Sequence, residues 1–165
     1  MYKYSITTYL AISIIISGCG FQLRGNIELP SDLKQISVVS GKYSDLVKNL
    51  NQSLLNSNIE VVNNSDKNLY RVKIISEVFN RRQLSINISG RVNEYELIYN
   101  VTYQISSPDA KSKQEKLSLY RDYSFDENNV MGNADREAQI KKEMTSNAAS
   151  LIFIKLIARI KNRDL

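Results

Sequence analysis

The sequence contains no histidine and a single cysteine, Cys19. The lack of histidine removes the commonest general base and metal ligand, and it excludes Ser-His-Asp and Cys-His catalysis. The single cysteine excludes an internal disulfide, a cysteine-rich zinc site and a CxxC redox pair. An enzyme built on this chain would therefore have to use carboxylates, lysine and tyrosine, and nothing in the sequence indicates a cofactor.

What the chain does have is an excess of positive charge. It carries 22 Lys and Arg against 17 Asp and Glu, with a net charge of +5 and an isoelectric point near 9.2. This balance favours a partner that bears phosphates or carboxylates. The 165 residues, 42% hydrophobic and 24% charged, predict one ordinary globular domain.

The first nineteen residues are laid out like a secretory signal. Lys3 precedes an apolar run over residues 4–16, and the small residues Ser17 and Gly18 stand before Cys19. A membrane-spanning helix needs roughly 20 apolar residues, so the run is short for one. The stretch "ISGC" resembles the bacterial lipoprotein signal, which is cut before a cysteine whose thiol is then lipidated. The alternative is a buried terminal element in which Cys19 is a small core residue.

We therefore predict three segments: a lipoprotein signal peptide at 1–18 that is removed, a lipidated tether at 19–33, and a single α+β domain at 34–165. Diacylglyceryl and N-acyl groups on Cys19 would anchor the chain stably, because two or more acyl chains hold where one does not. Gly20 after the cysteine favours, by the same resemblance, the outer membrane over retention at the inner membrane.

The body of the chain predicts an α+β fold, a two-layer sandwich of a four-stranded sheet with two helices packed on one face, in the order β-α-β-β-β-α. The predicted elements are a strand at 34–40, a helix after Ser44 with Leu46, Val47, Leu50 and Leu54 at helical spacing, strands at 69–79, 93–105 and 116–125, and a helix from about Asn133.

Regular alternation along the three longer strands predicts a sheet that is buried on one face only. The inward sets are Tyr70, Val72, Ile74 and Val78 in the first strand and Tyr95, Leu97, Tyr99, Val101, Tyr103 and Ile105 in the second. The alternation places Arg71, Lys73 and Glu77 on the other face. There we expect Arg71 and Lys73 to pair across strands with Glu94 and Glu96. That charge ladder is preferred to a catalytic pair of carboxylates.

The last helix carries an apolar stripe at helical spacing, made of Ile140, Met144, Ala148, Leu151, Ile154 and Ala158. Its final part, "LIFIKLIARI", is apolar on nearly every side. We expect burial between the sheet and the first helix, with a partner surface as the alternative.

Three arginines lie close together in the sequence, and a fourth stands at a position that alternation predicts to be inward. Arg81 and Arg82 lie in "NRRQ" at a predicted strand end or turn, and Arg91 follows nearby. Converging arginines bind phosphate through paired hydrogen bonds, although solvated side chains are the alternative. Arg121 faces inward by alternation. It must therefore be turned out by a bulge or paired with a carboxylate such as Glu137 or Glu143.

Four segments resemble the LPS-assembly lipoprotein family LptE, in the family's order and spacing: "CGFQLRG" at 19–25, "EYEL" at 94–97, "RDYSFDENN" at 121–129 and "REAQIKKEM" at 136–144. The resemblance implies a non-enzymatic outer-membrane lipoprotein that plugs the lumen of the LptD β-barrel, helps the barrel assemble and helps pass lipopolysaccharide to the cell surface. A location facing the periplasm or inside the barrel lumen follows.

The same resemblance makes lipid A an expected ligand. No nucleic-acid partner is expected, because export to the envelope removes the usual ligand and the aromatic side chains point into the core. The candidate lipopolysaccharide-binding residues are Arg81, Arg82, Arg91, Arg136, Lys141 and Lys142. Two alternatives remain open: a scaffold or chaperone lipoprotein for another outer-membrane complex, and an envelope hydrolase that uses carboxylates.

Overall fold

The computed structural model describes residues 33–63, 68–108 and 110–162, without the side chains of residues 110 and 111. The predictions for the signal peptide, for Cys19 and for the tether up to residue 32 lie outside the described residues.

The described residues form one five-stranded sheet and two helices, and the sheet has the strand order β2-β1-β3-β4-β5. Strand β1 runs parallel to both of its neighbours, whereas β3, β4 and β5 form an antiparallel meander. In chain order the elements are β1 (Gln35–Ser40), α1 (Asp45–Asn56), β2 (Glu60–Val62), β3 (Tyr70–Ile86), β4 (Val92–Ser107), β5 (Ala110–Ser124) and α2 (Val130–Lys161).

The α+β class and the two helices are as predicted, but the prediction of four strands was wrong. The missed strand is β2, which has 3 residues, "EVV", and pairs in parallel with the start of β1. It begins just after Asn58, whose positive φ of 58° turns the chain at the end of α1. A strand of this length is too short to show alternation, so the sequence gives no periodic signal for it.

Both helices begin at side-chain caps. The Ser44 hydroxyl accepts a hydrogen bond from the Val47 amide at 3.4 Å, and the Asn129 side chain accepts one from the Gly132 amide at 3.0 Å. The cap at Asn129 starts α2 three residues earlier than the predicted start near Asn133. The apolar stripe of α1 is buried as predicted.

The hydrophobic core lies between the helices and one face of the sheet. The alternation predicted for β4 is confirmed, because Leu97, Tyr99, Val101, Tyr103 and Ile105 are all buried. They pack with the inward faces of α1 and α2, which bury the same side of the sheet.

The inward face of α2 was only partly predicted. Met144 and Ala148 are buried, but Leu151 and Ile154 of the predicted stripe are 43% and 49% exposed, and Ala158 is exposed too. The buried positions in this part are Ile152, Phe153, Leu156, Ile157 and Ile160. Where nearly every residue is apolar, several stripes fit the helical period, and periodicity alone cannot select one.

A β-bulge in β3 reverses the faces of the strand beyond it. Ile74 lies opposite Tyr103, but the next pair is Ser76 with Thr102, so Ile75 is the extra residue. Beyond this point the expected faces were wrong. Val78 is 47% exposed, whereas Glu77 points to the helix side, where it accepts hydrogen bonds from Ser44 and Tyr99.

The register also overturns two expectations about charged residues. Strand β3 continues to Ile86, so Arg81 and Arg82 lie inside a strand and not at its end or in a turn. Arg71 and Lys73 lie opposite Ser106 and Gln104, far along the strand from Glu94 and Glu96. Glu96 pairs with Arg82, and Glu94 accepts a hydrogen bond from Ser85 at 2.7 Å.

Candidate functional site

The bulge at Ile75 places Arg81 on the helix side of the sheet and Arg82 on the open side. Arg81 lies opposite Leu97, which is completely buried against the helices. Arg82 lies opposite Glu96 and pairs with it on the face that no helix covers. Adjacent residues of a strand point to opposite faces, so only one of the two arginines can reach α2.

Arg81 meets Glu137, which is the centre of a cluster that joins β3, β5 and α2. The Arg81 Nη1 atom donates to Glu137 Oε2 at 2.9 Å, and the Tyr123 hydroxyl donates to the same oxygen at 2.7 Å. The other oxygen, Oε1, lies 2.6 Å from Lys141 Nζ, one turn along the helix. The Glu137 side chain is 18% exposed, so this carboxylate is largely enclosed by its three partners.

The cluster keeps Glu137 ionised. Burial alone would raise the pKa of Glu137, but hydrogen bonds from Lys141, Tyr123 and Arg81 outweigh burial and lower its pKa to about 2. Hydrogen bonds with Tyr123 and Glu137 raise the pKa of Arg81. Burial, followed by the hydrogen bond to Glu137, raises the pKa of Tyr123. The Glu137 carboxylate and the Arg81 guanidinium are therefore charged at neutral pH.

Aromatic rings form the base of the cluster. Tyr95 stacks on Tyr123 at 5.9 Å between ring centroids and meets Phe125 edge-on at 5.2 Å. The Arg81 guanidinium carbon lies 4.4 Å from the centroid of the Tyr95 ring, a cation–π contact that fixes the arginine over the sheet.

An open cleft of about 330 Å³ lies beside this cluster. Its lining combines the two cations and Glu137 with small and apolar side chains from the start of α2 and the end of β5. The lining residues are Arg81, Tyr123, Phe125, Val130, Asn133, Ala134, Glu137, Ala138 and Lys141.

The structure brings together only two of the six candidate lipopolysaccharide-binding residues, Arg81 and Lys141. Arg91 pairs with Glu127 near the turn between β3 and β4. Arg136 and Lys142 are exposed on α2, and no salt bridge from them reaches another residue of the described ranges. Arg82 is on the opposite face of the sheet, so the six do not form one convergent anion site.

Arg121 is not paired with either carboxylate expected for it. It lies opposite Leu97 in an unbroken stretch of register, so no bulge turns it out, yet it is exposed because β5 is the edge strand. Its Nη1 atom donates to the Tyr120 carbonyl oxygen at 3.0 Å. Glu137 is held by other groups, and Glu143 accepts a hydrogen bond from Gln139 at 2.8 Å.

Two features of the cluster were missed from the sequence. Glu137 and Lys141 stand four residues apart, a spacing that puts them on one helix face and could have indicated their pairing. The partnership of Arg81 with Glu137 and Tyr123 carried no such signal, since it depends on the bulge at Ile75.

Two further carboxylates on the helix side have structural roles. Glu77 accepts hydrogen bonds from Ser44 at the α1 cap and from Tyr99 in the core, and burial followed by Glu77 raises the pKa of Tyr99. Glu115 pairs with Lys155 and Arg159 near the end of α2. Burial followed by Glu115 raises the pKa of Tyr103 to about 12. These contacts attach the helices to the sheet.

Within residues 33–63, 68–108 and 110–162, no group of three or more acidic or cysteine side chains is placed to hold a metal ion. In the same ranges, neither helix combines the length and the apolar character needed to cross a membrane.

Comparison with protein families gives a match over most of the chain. The profile of the LptE family, described as lipopolysaccharide-assembly, matches residues 33–156. The LPS-assembly lipoprotein LptE of Yersinia enterocolitica is 30% identical over 156 residues, which cover 90% of this chain and 75% of the relative. The protein of the same name from Photorhabdus laumondii is 24% identical over 154 residues, 92% of this chain and 85% of the relative.

Solved structures share the fold. The rare lipoprotein B from Shewanella oneidensis superposes with a TM-score of 0.76 and 26% identity, covering 80% of this chain and 100% of that one. A lipoprotein B from Nitrosomonas europaea has a TM-score of 0.70 and 24% identity, covering 86% and 93% of the two chains, and it supports the fold alone.

Proposed function

The chain belongs to the LptE lipopolysaccharide-assembly family, and on that basis we propose that it is the lipoprotein component of a lipopolysaccharide translocon in the outer membrane. The family is not enzymatic, so its members act by binding and by supporting assembly. The observation that carries the proposal is the length of the family match, which runs from residue 33 to residue 156 and includes all five strands, α1 and most of α2.

We propose further that the domain sits as a plug inside the LptD β-barrel and helps that barrel assemble. The interior of an outer-membrane barrel is polar, and a plug needs a polar surface to match it. The open face of the sheet supplies such a surface through Arg82, Glu96 and Asp122, which lie side by side on β3, β4 and β5.

The open face also carries apolar groups that suit a protein contact. Val78 on β3 and Tyr120 on β5 are about half exposed. They lie on either side of β4, close to Ile98. Protein interfaces combine aromatic and aliphatic side chains at the centre with a polar rim, and tyrosine is enriched there. This composition supports the open face as the side that meets the barrel wall.

Attachment to the membrane is assigned to Cys19, through acyl chains that hold the domain at the outer membrane. Contact with the phosphates of lipid A during transport is assigned to the basic side chains, which contribute to a net charge of +5. Arg81, Arg82, Arg91, Arg136, Lys141 and Lys142 remain the candidates, although they lie on several surfaces.

The test is purification of the tagged full chain from outer membranes in a mild detergent, with partners identified by mass. We expect a very large β-barrel to co-purify. Recovery of the chain alone would contradict the proposal, and recovery with a different outer-membrane complex would favour the scaffold or chaperone function instead.

Two matched variants test the face. Tyr120→Lys alters the open face, whereas Tyr43→Lys alters a 73% exposed tyrosine in the loop before α1. We expect Tyr120→Lys to reduce barrel recovery by about tenfold, because it buries an unpaired charge in the contact, and Tyr43→Lys to leave recovery unchanged. Equal recovery of the barrel with both variants would contradict the proposal that the open face contacts the barrel wall.

A further inference from the structure

The cleft beside Glu137 has two kinds of lining, one charged and one apolar. Arg81 and Lys141 supply positive charge, while Phe125, Val130 and two alanines supply apolar surface. Val130 is 69% exposed although it is apolar. The volume of about 330 Å³ falls at the lower end of the range of small-molecule sites. A ligand that fits both parts has an anionic head and a short alkyl portion.

Glu137 occupies the place where the head of such a ligand would be held. Its two oxygens separately meet Arg81 at 2.9 Å and Lys141 at 2.6 Å, and Tyr123 donates to it as well. Carboxylate and phosphate groups are bound by the same donors in the same geometry. The three charged side chains leave one net positive charge in the lining, so an arriving anion is attracted even while Glu137 is in place.

Both cations remain accessible to an arriving ligand. The side chains of Arg81 and Lys141 are 48% and 40% exposed, so they face the open cleft as well as Glu137. The guanidinium is held over the Tyr95 ring, which keeps it in position when the carboxylate leaves.

We propose that this cleft binds an amphipathic anion, an alkyl chain with a phosphate or carboxylate head, and that the head displaces the Glu137 carboxylate from Arg81 and Lys141. The chain of the ligand lies against Phe125, Val130, Ala134 and Ala138. Glu137 thus acts as an internal competitor that holds the site in its unliganded arrangement. The site itself is independent of the proposed function, but the choice of lipid A as the natural ligand rests on it.

Octyl phosphate is the first probe, titrated into the purified full chain in a non-ionic detergent and followed by calorimetry. Inorganic phosphate and octanol are the controls for head and chain. We expect octyl phosphate to bind at least about tenfold more tightly than either control, because neither control fills both parts of the cleft. Equal binding of octanol, or of inorganic phosphate, would overturn the proposal.

Arg81→Gln and Lys73→Gln form a matched pair, since both are exposed cations of β3 and Lys73 lies opposite Gln104, far along the strand from the cleft. We expect Arg81→Gln to weaken octyl phosphate binding by about tenfold or more, as expected for the loss of a charge-assisted hydrogen bond, and Lys73→Gln to leave it unchanged. Equal effects of the two variants would place the ligand elsewhere.

Glu137→Gln separates competition from a purely structural role. Removing the carboxylate raises the positive charge of the lining, so we expect octyl phosphate to bind several-fold more tightly. The thermal unfolding of each variant is measured alongside, and titrations are run at a temperature where all variants are folded. Unchanged or weaker binding by the folded Glu137→Gln protein would overturn the competition.

Lipid A and phosphatidylglycerol, each in the same detergent, identify the source of the head group by competing with octyl phosphate. Competition by lipid A but not by phosphatidylglycerol supports the translocon ligand, and the reverse result overturns that assignment while the octyl phosphate site stands. Barrel co-purification is scored separately, so failure of the site and failure of the proposed function give different results.

Discussion

At the residue scale, Glu137 shows how one carboxylate can fasten a helix to a sheet. It accepts hydrogen bonds from Arg81 of β3 and Tyr123 of β5 while it forms a salt bridge with Lys141 on its own helix. Because its pKa in the folded protein is about 2, below the ordinary value of 4.5, folding is favoured by the ionised form. This stabilisation is fully present above about pH 4.5 and is lost as the pH falls towards 2.

Glu137→Gln should therefore destabilise the protein in a pH-dependent way. We expect a loss of about 2 kcal/mol in the free energy of unfolding at pH 7, which shrinks as the pH is lowered through about 4 towards 2. Urea unfolding at several pH values measures it. Glu143→Gln is the matched control, because Glu143 is exposed and accepts a hydrogen bond from Gln139 on the same helix, and it should cost less than about 0.5 kcal/mol. If Glu137→Gln lowers the free energy of unfolding by the same amount at every pH, the low pKa of Glu137 in the folded protein is contradicted.

At the scale of elements, the bulge in β3 determines which side chains reach the helices. Ahead of it Val72 and Ile74 point inward, and beyond it the inward residues are Glu77, Phe79 and Arg81. Phe79 stacks on Tyr99 with 4.0 Å between ring centroids, which holds the shifted register in the core.

Deleting Ile75 should therefore straighten β3 without exchanging its faces. Once the extra residue is gone, Ile74 and Ser76 become neighbours, and the residues beyond them keep the partners on β4 that they have in the structure. We expect the deletion to cost no more than about 2 kcal/mol in the free energy of unfolding, measured by urea unfolding. Ile75→Ala keeps the bulge and shortens a half-exposed side chain, so it should cost no more than about 1 kcal/mol. A loss of more than about 4 kcal/mol on deletion would mean that the bulge itself is needed for the shape of the sheet.

The bulge in β3 also limits which strand faces can be predicted from the sequence. The inward set of β4 follows from alternation alone, since Leu97 to Ile105 keeps one period without interruption. In β3 alternation predicts the first half and fails after Ile75, because a single extra residue exchanges the two faces without altering the composition. The candidate basic residues could be identified from the sequence. The contact of Arg81 with Glu137 could not, because it depends on the face of β3 that Arg81 occupies beyond the bulge.

At the scale of the whole molecule, we propose that the N-terminal segment attaches this one-sided sandwich to a membrane. We expect the mature protein to lack residues 1–18 and to carry acyl chains on Cys19, as measured by intact mass. Cys19→Ala should retain the first 18 residues and carry no acyl chains, whereas Gly20→Ala, at the neighbouring position, should be processed normally. An unmodified Cys19 in the purified chain would contradict the anchor.

The position of α2 at the end of the described chain has a consequence for how the protein emerges during synthesis. The meander of β3, β4 and β5 is complete before residue 130, and its strands pair with near neighbours in sequence. The 32-residue helix α2, which packs on β4 and β5, is the last of the described elements to be made. Until α2 has been made, the inward tyrosines and aliphatic residues of β4 are exposed to solvent. A chain that is truncated before α2 therefore exposes an apolar sheet face and is prone to aggregate.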